Sequence, residues 1–152
     1  MLIVGDAGAE ESAYSKALQE DVVSRELSEF VCFTGFRDDS VDMIQGSDVL
    51  LSTSVREGCP NVVLEAMAVG TPVISTAYSD IRDILPFPWQ VCSNRDPDDL
   101  AAAILRADLS RADVIREQLD WIVNNATVER VTSKLESIYG TYAHLTGSAH
   151  AV

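Results

Sequence analysis

The 152-residue sequence predicts an α/β fold, a doubly wound parallel sheet of about five strands with a helical C-terminal portion. Three observations predict it. Short runs that are apolar at successive positions alternate with longer segments of helical periodicity, as expected for buried parallel strands joined by crossover helices. Turn and cap residues fall where one pattern gives way to the other, Pro60, Gly70 and Pro86 among them. From residue 97 onward only the helical pattern is left.

Each element follows from its residues. "LIVG" (2–5), "FVCF" (30–33), "DVLLST" (48–53), "TPVIST" (71–76) and "WQVC" (89–92) read as strands. In "EESAYSKALQEDVVSREL", Tyr14, Leu18, Val22 and Leu27 form a helical stripe. "DDSVDMIQGS" is a short helix. "PNVVLEAMAVG" opens with Pro60, suited to a first helical turn, and closes at Gly70, a C-cap residue. "SDIRDIL" is a short helix stopped by Pro86. "DPDDLAAAILRADL" begins with Asp96 or Asp98 as its cap, and "RADVIREQLDWIVNN" follows. In the last helix Val128, Val131, Leu135, Ile138 and Tyr142 are spaced by three and four, one apolar stripe. The predicted organisation is one domain over 1–145, with a flexible tail over 146–152. The first strand pattern begins at once, without lead-in. A domain lacking its first strand–helix unit, a piece of something longer, is expected.

Composition narrows the function. Twenty-four Asp and Glu stand against eleven Lys and Arg, a formal charge of −13. With no cluster of basic residues, this argues against nucleic acid as a partner. No apolar run approaches the roughly 20 residues of a transmembrane segment, and the N-terminus lacks the basic region of a secretory signal. A cytoplasmic protein is expected. Cys32, Cys59 and Cys92 are far apart and form no C-x-x-C pair; Cys32 and Cys92 fall in apolar runs and read as core residues. His144 and His150 have no companion ligands in sequence, so no metal site is implied.

The chemistry concentrates in "STSVREGCPNVVLEAMAVG". A strand ends near Thr53, a loop follows, and a helix starts near Pro60. The first N–H groups of such a helix lack intrahelical acceptors and, with the helix dipole, favour an anion. Gly58 lets backbone approach a ligand closely. Glu65 lies one turn beyond Asn61 on the same face, where a carboxylate can accept from both hydroxyls of a vicinal diol such as ribose. Glu57, on the loop across the helix start, suits sugar hydroxyls. In an acidic chain the Glu-x7-Glu spacing alone also fits two solvated surface carboxylates. The strand–loop–helix setting at the carboxyl edge of a parallel sheet favours a nucleotide-diphosphate sugar.

The stretch "EGCPNVVLEAMAVGTPVIST" resembles the signature of the family-4-type retaining glycosyltransferases, which have the two-domain GT-B fold with Rossmann-like halves. "LIVGDAGAEES", "FVCFTGF", "SDVLLSTSVREG", "DPDDLAAAI" and the closing helix extend the resemblance over most of the chain, as the C-terminal, donor-binding domain. The resemblance implies that Glu57 contacts the donor sugar in the catalytic site. It implies that Gly58, Cys59, Pro60 and Asn61 form the loop against sugar and diphosphate, and that Glu65 binds ribose. Gly35 and Phe36 would line the nucleobase pocket, and Ser54 would lie near the donor; plain loop packing serves Phe36 and Ser54 equally well.

Two departures limit the resemblance. The family ordinarily supplies an Arg and a Lys to the diphosphate from an earlier strand and loop, and it has an N-terminal acceptor-binding domain; neither is in this sequence. Where the family often has a Gly-Gly turn and a Glu, this chain reads "AYSDIRDI" with Ala77, Tyr78 and Asp83. Arg37, Arg56 and Arg82 are the nearest basic residues in sequence to the loop. The implied partner is a nucleotide sugar, with no cofactor and no metal, and the implied reaction is hexosyl transfer to an acceptor hydroxyl. The chain alone is expected to be inactive. The alternatives are a non-catalytic nucleotide-sugar-binding module or a truncated remnant. A receiver-type signalling domain fits poorly, because Asp48 lies at the wrong end of its strand.

Overall fold

The computed structural model describes residues 1–5, 12–93, 95–106 and 112–147. The chain divides into two compact units, Met1–Met43 and Ile44–Val152, each described by itself below.

In the first unit, β1 (Leu2–Val4) pairs in parallel with β2 (Cys32–Gly35), and α1 (Ser12–Ser24) precedes β2 in sequence. The register sets Leu2 opposite Cys32 and Val4 opposite Gly35, with a shift between Ile3 and Val4. Gly35 takes φ +68°, which allows its carbonyl to accept from the Gly5 N–H at 3.0 Å. The end of α1 is closed by Glu26, at φ +58°. The Leu27 N–H reaches the Val22 carbonyl at 2.9 Å and the Glu26 N–H the Val23 carbonyl at 3.0 Å, the paired bonds of a Schellman motif. A residue with a Cβ in that conformation costs roughly 1 kcal/mol.

Helix α2 (Ser40–Gln45) carries the division between the units. In the second unit β3 (Leu50–Ser52), β4 (Val73–Thr76) and β5 (Val91–Cys92) form a parallel sheet in that order. Helix α3 (Asn61–Ala68) links β3 to β4. Helix α4 (Ile81–Ile84) and a 3₁₀ turn (Pro88–Gln90) link β4 to β5. Helices α5 (Pro97–Arg106), α6 (Ala112–Asn125) and α7 (Val128–Gly147) complete the chain. The central strand β4 is buried at all four positions. Around it Val63, Ala66, Met67, Tyr78, Ile81, Leu85 and Val91 form the core.

The α/β class and the parallel strands are as predicted, but the strands form sheets of two and three where one of about five was expected. The strands are also shorter than their apolar runs. Trp89 and Gln90, read as strand, form the 3₁₀ turn after Pro88. There Gln90 turns inward, 0% exposed.

That inward turn serves a purpose. On the β3 side of β4, the Leu50 N–H takes the Pro72 carbonyl at 2.8 Å. Successive residues of a parallel strand direct their polar groups to opposite neighbours, so Val73 points towards β5, which begins only opposite Ser75. Two glutamines fill the place. Gln118 Oε1 accepts from the Val73 N–H at 3.2 Å, and Gln90 Nε2 donates to the Val73 carbonyl at 2.9 Å. Gln90 Nε2 also donates to Gln118 Oε1 at 2.8 Å, and Gln118 Nε2 donates to the Thr71 carbonyl at 3.0 Å. Both side chains are wholly buried.

Two helix ends resolve as follows. Asp96 rather than Asp98 caps α5, its Oδ1 accepting from the Asp98 N–H at 2.9 Å. Gly70, at φ +80°, follows the last residues of α3, where the Thr71 N–H returns to the Ala66 carbonyl at 2.8 Å. A Cβ on Gly70 would lie 3.3 Å from Ile115 of α6.

Cys92 is buried as expected, and Cys32 is not: it is exposed at the start of β2. The stripe of Val128, Val131, Leu135, Ile138 and Tyr142 is helical, yet each of these residues is exposed. Helix α7 runs to Gly147; residues 148–152, most of the segment expected as a tail, lie outside the described residues.

Candidate functional site

The turn from β3 to α3 brings together Ser54, Glu57, Gly58, Cys59, Pro60, Asn61 and Glu65, all within the second unit. Gly35 and Phe36 belong to the first unit, at the carboxyl end of β2, with Phe36 78% exposed. His144's side chain and His150 lie outside the described residues.

The loop begins where β3 ends, and the carboxyl ends of the neighbouring strands hold it. The Thr76 hydroxyl, at the end of β4, donates to the Ser54 carbonyl at 2.9 Å. One residue further, the Val55 carbonyl accepts from Arg95 at 3.0 Å, from the chain beyond β5. Below the loop, the Ser52 and Tyr78 hydroxyls share a buried hydrogen bond of 3.0 Å. Tyr78, which stands near the expected Gly-Gly turn, is thus a core residue. Sequence distance had pointed to Arg37, Arg56 and Arg82 as the nearest cations. Arg95 was missed because it is 40 residues from Val55 in sequence; only the parallel order β3-β4-β5 makes their strand ends neighbours. Arg82 donates to Ser93 at 2.9 Å, and Arg37 pairs with Asp39 at 2.7 Å in the first unit. Arg56 is exposed.

Within the loop, the Ser54 hydroxyl donates to Glu57 Oε1 at 2.6 Å, in a half-buried position. Gly58 has no positive φ, and a Cβ there would meet nothing within 4 Å. Neither backbone strain nor packing therefore calls for glycine; the space in front of it is open. Cys59 is exposed and Pro60 buried.

Helix α3 starts one residue later than expected. Pro60, at φ −79° and ψ 74°, is outside the helical region and acts as the cap residue. Its carbonyl accepts from the N–H groups of Val63 at 2.9 Å and Leu64 at 3.1 Å, and the Asn61 N–H turns back to the Cys59 carbonyl at 2.9 Å. Much of the first turn is satisfied within the protein, which reduces the anion cradle expected there. Among the described residues, the Val62 N–H is the first-turn donor with no protein acceptor. Asn61 and Glu65 are both exposed, one turn apart on α3.

No group of three or more His, Cys, Asp and Glu among the described residues is placed to hold a metal ion. No described helix is long and apolar enough to cross a membrane. Burial pushes the Cys92 thiol above its ordinary range, and the charge of Asp99 adds to the shift.

Residues 1–107 match the family described as "Glycosyl transferases group 1". N-acetyl-alpha-D-glucosaminyl L-malate synthase of Bacillus anthracis is 26% identical over 144 residues, 91% of this chain and 36% of its own length. Among solved structures, sucrose-phosphate synthase from Thermosynechococcus elongatus superposes with a TM-score of 0.80 at 24% identity, over 95% of this chain and 38% of its own. HepE of Anabaena, solved in complex with UDP-glucose, superposes with a TM-score of 0.74 at 24% identity, over 94% of this chain and 40% of its own. The chain thus spans about two fifths of the length of each.

Proposed function

The chain belongs to the group 1 glycosyl transferases, of GT-B fold, and from that membership we propose that it is the donor-binding half of a retaining enzyme that passes a hexosyl group from a nucleotide sugar to an acceptor hydroxyl. The observation that carries the reading is the turn from β3 to α3. It presents a held carboxylate at Glu57, open space before Gly58, and two exposed polar side chains, Asn61 and Glu65, on one face of a helix. Glu57 takes hydroxyls of the donor sugar. Glu65 takes the ribose diol, since a carboxylate offers about four lone-pair sites and can accept from both hydroxyls together. The diphosphate lies between them, against the Val62 N–H and the backbone of 58–61, with Ser54 near the donor. HepE bound to UDP and to UDP-glucose makes a uracil nucleotide the first donor to try.

The leaving diphosphate needs positive charge as the glycosidic bond breaks. With two first-turn N–H groups of α3 turned to protein carbonyls, that charge falls to cationic side chains. In this reading the 152 residues by themselves bind donor without turnover, as a cytoplasmic domain that works with an acceptor-binding domain. That the chain spans about two fifths of the length of its relatives supports this reading.

Calorimetric titration with UDP and GDP tests the reading. Glu65→Ala should weaken the preferred diphosphate by roughly tenfold or more, the loss of hydrogen bonds to a charged acceptor. Unchanged affinity sinks the ribose assignment, and release of free UDP from UDP-glucose by the chain alone contradicts the proposed inactivity.

A further inference from the structure

We propose that Ser54 and Thr76 are positioning residues that hold the Glu57 carboxylate in place for the donor sugar, Ser54 directly and Thr76 through the Ser54 peptide. The role rests on the reading of Glu57 as the sugar contact. It gives Ser54, which the family resemblance placed near the donor, a role that acts through Glu57.

A glutamate on an irregular loop turns about three side-chain torsions, and nothing in a loop's own backbone selects one of the resulting rotamers. Here one of its oxygens is fixed. The Ser54 hydroxyl donates its single proton to Glu57 Oε1 at 2.6 Å, so it acts through that carboxylate. The bond is short, as bonds from a hydroxyl to an ionised acceptor are. It occupies one of the carboxylate's lone-pair sites and leaves the others for sugar hydroxyls.

A tether of this kind is only as firm as its base. Ser54 is anchored by its own carbonyl, which accepts from Thr76 at 2.9 Å. Thr76 ends the wholly buried central strand and is 5% exposed. The next carbonyl, of Val55, is held by Arg95. Just before the loop, Ser52 is bonded to the buried Tyr78. The order of connection runs from the buried strand β4 through the Thr76 hydroxyl to the Ser54 peptide, and from the Ser54 hydroxyl to Glu57. Preorganisation of this sort limits the ordering that a bound sugar would otherwise have to impose.

The test uses the full 152-residue chain and five variants: Glu57→Ala, Ser54→Ala, Ser54→Thr, Thr76→Val and Thr76→Ser. Hα–Hβ couplings of Glu57 by NMR report its rotamer without any ligand. The wild type, Ser54→Thr and Thr76→Ser should show one rotamer; Ser54→Ala and Thr76→Val should show averaging. Calorimetry with UDP and UDP-glucose then gives the preference for the sugar-bearing ligand. Ser54→Ala and Glu57→Ala should each cut it about fivefold, the worth of one ordinary hydrogen bond, with affinity for UDP itself unchanged. If Glu57→Ala leaves the preference intact, the sugar reading fails. If Glu57→Ala removes it while Ser54→Ala keeps both the preference and the single rotamer, the positioning role is overturned. If the wild type binds neither ligand, the donor reading fails and the couplings alone decide the positioning role. Should Thr76→Val fail to fold, Ser54→Ala and its rescue by threonine carry the decision.

Discussion

Replacing Gln118 by methionine keeps nearly the same side-chain volume and removes every hydrogen bond that Gln118 makes. Three buried partners then lose theirs: the Val73 N–H, the Thr71 carbonyl and one N–H of Gln90. A buried polar group left unsatisfied costs about 1–3 kcal/mol. The gain from placing an apolar side chain at a wholly buried position offsets part of that sum, leaving a loss of about 3 kcal/mol or more. Against a total stability of about 5–15 kcal/mol this is large. At the loss of about 4 °C per kcal/mol typical of domains this size, melting falls by roughly 12 °C. Urea unfolding followed by tryptophan fluorescence reads it directly. Both tryptophans, Trp89 and Trp121, lie in the second unit, and Trp121 on α6 donates to the Asp83 carbonyl at 2.9 Å. A Gln118→Met protein within about 1 kcal/mol of wild type would refute the claim that the glutamine pair completes the β5 side of β4.

Three further outcomes are expected. Glu26→Gly relieves the left-handed residue that closes α1 and should stabilise that end by about 0.5–1 kcal/mol, seen as slower amide exchange at Arg25–Leu27; exchange that is unchanged or faster contradicts the Schellman assignment. Cys92 should resist alkylation by iodoacetamide while Cys32 and Cys59 react, because burial disfavours its thiolate. The same shift makes stability depend on pH. The folded thiol stays neutral where the unfolded thiol ionises, so its contribution is full below about pH 8.5 and is lost as pH rises towards the folded value. The fall in unfolding free energy above pH 8.5 should be shallower in Cys92→Ala; equal slopes would contradict it.

Much of this was legible in the residues. The five apolar runs each yielded a strand, and the Pro60-to-Gly70 segment yielded a helix ended by a glycine at positive φ, because strand and helix periods and cap chemistry are local properties. What could not be read depended on partners distant in sequence. Gln90 and Gln118 are polar residues in amphipathic or apolar surroundings, and nothing local marks them as wholly buried. Arg95 meets Val55 only because strand order makes their loops neighbours. Cys32 looked like core since its run is apolar, but an apolar run says nothing about which side of a sheet is covered. The candidate site was proposed from its spacing and turn residues; the bond from Ser54 to Glu57 and its anchoring by Thr76 needed the fold.

The central claim is that a nucleotide sugar docks on the turn from β3 to α3. Titration of the ¹⁵N-labelled chain with UDP-glucose, followed amide by amide, tests it most directly. The account predicts saturable shifts concentrated at residues 54–65, largest at Gly58 and Val62, with α6 unmoved. Shifts centred elsewhere in the chain, or none at millimolar ligand, would contradict it.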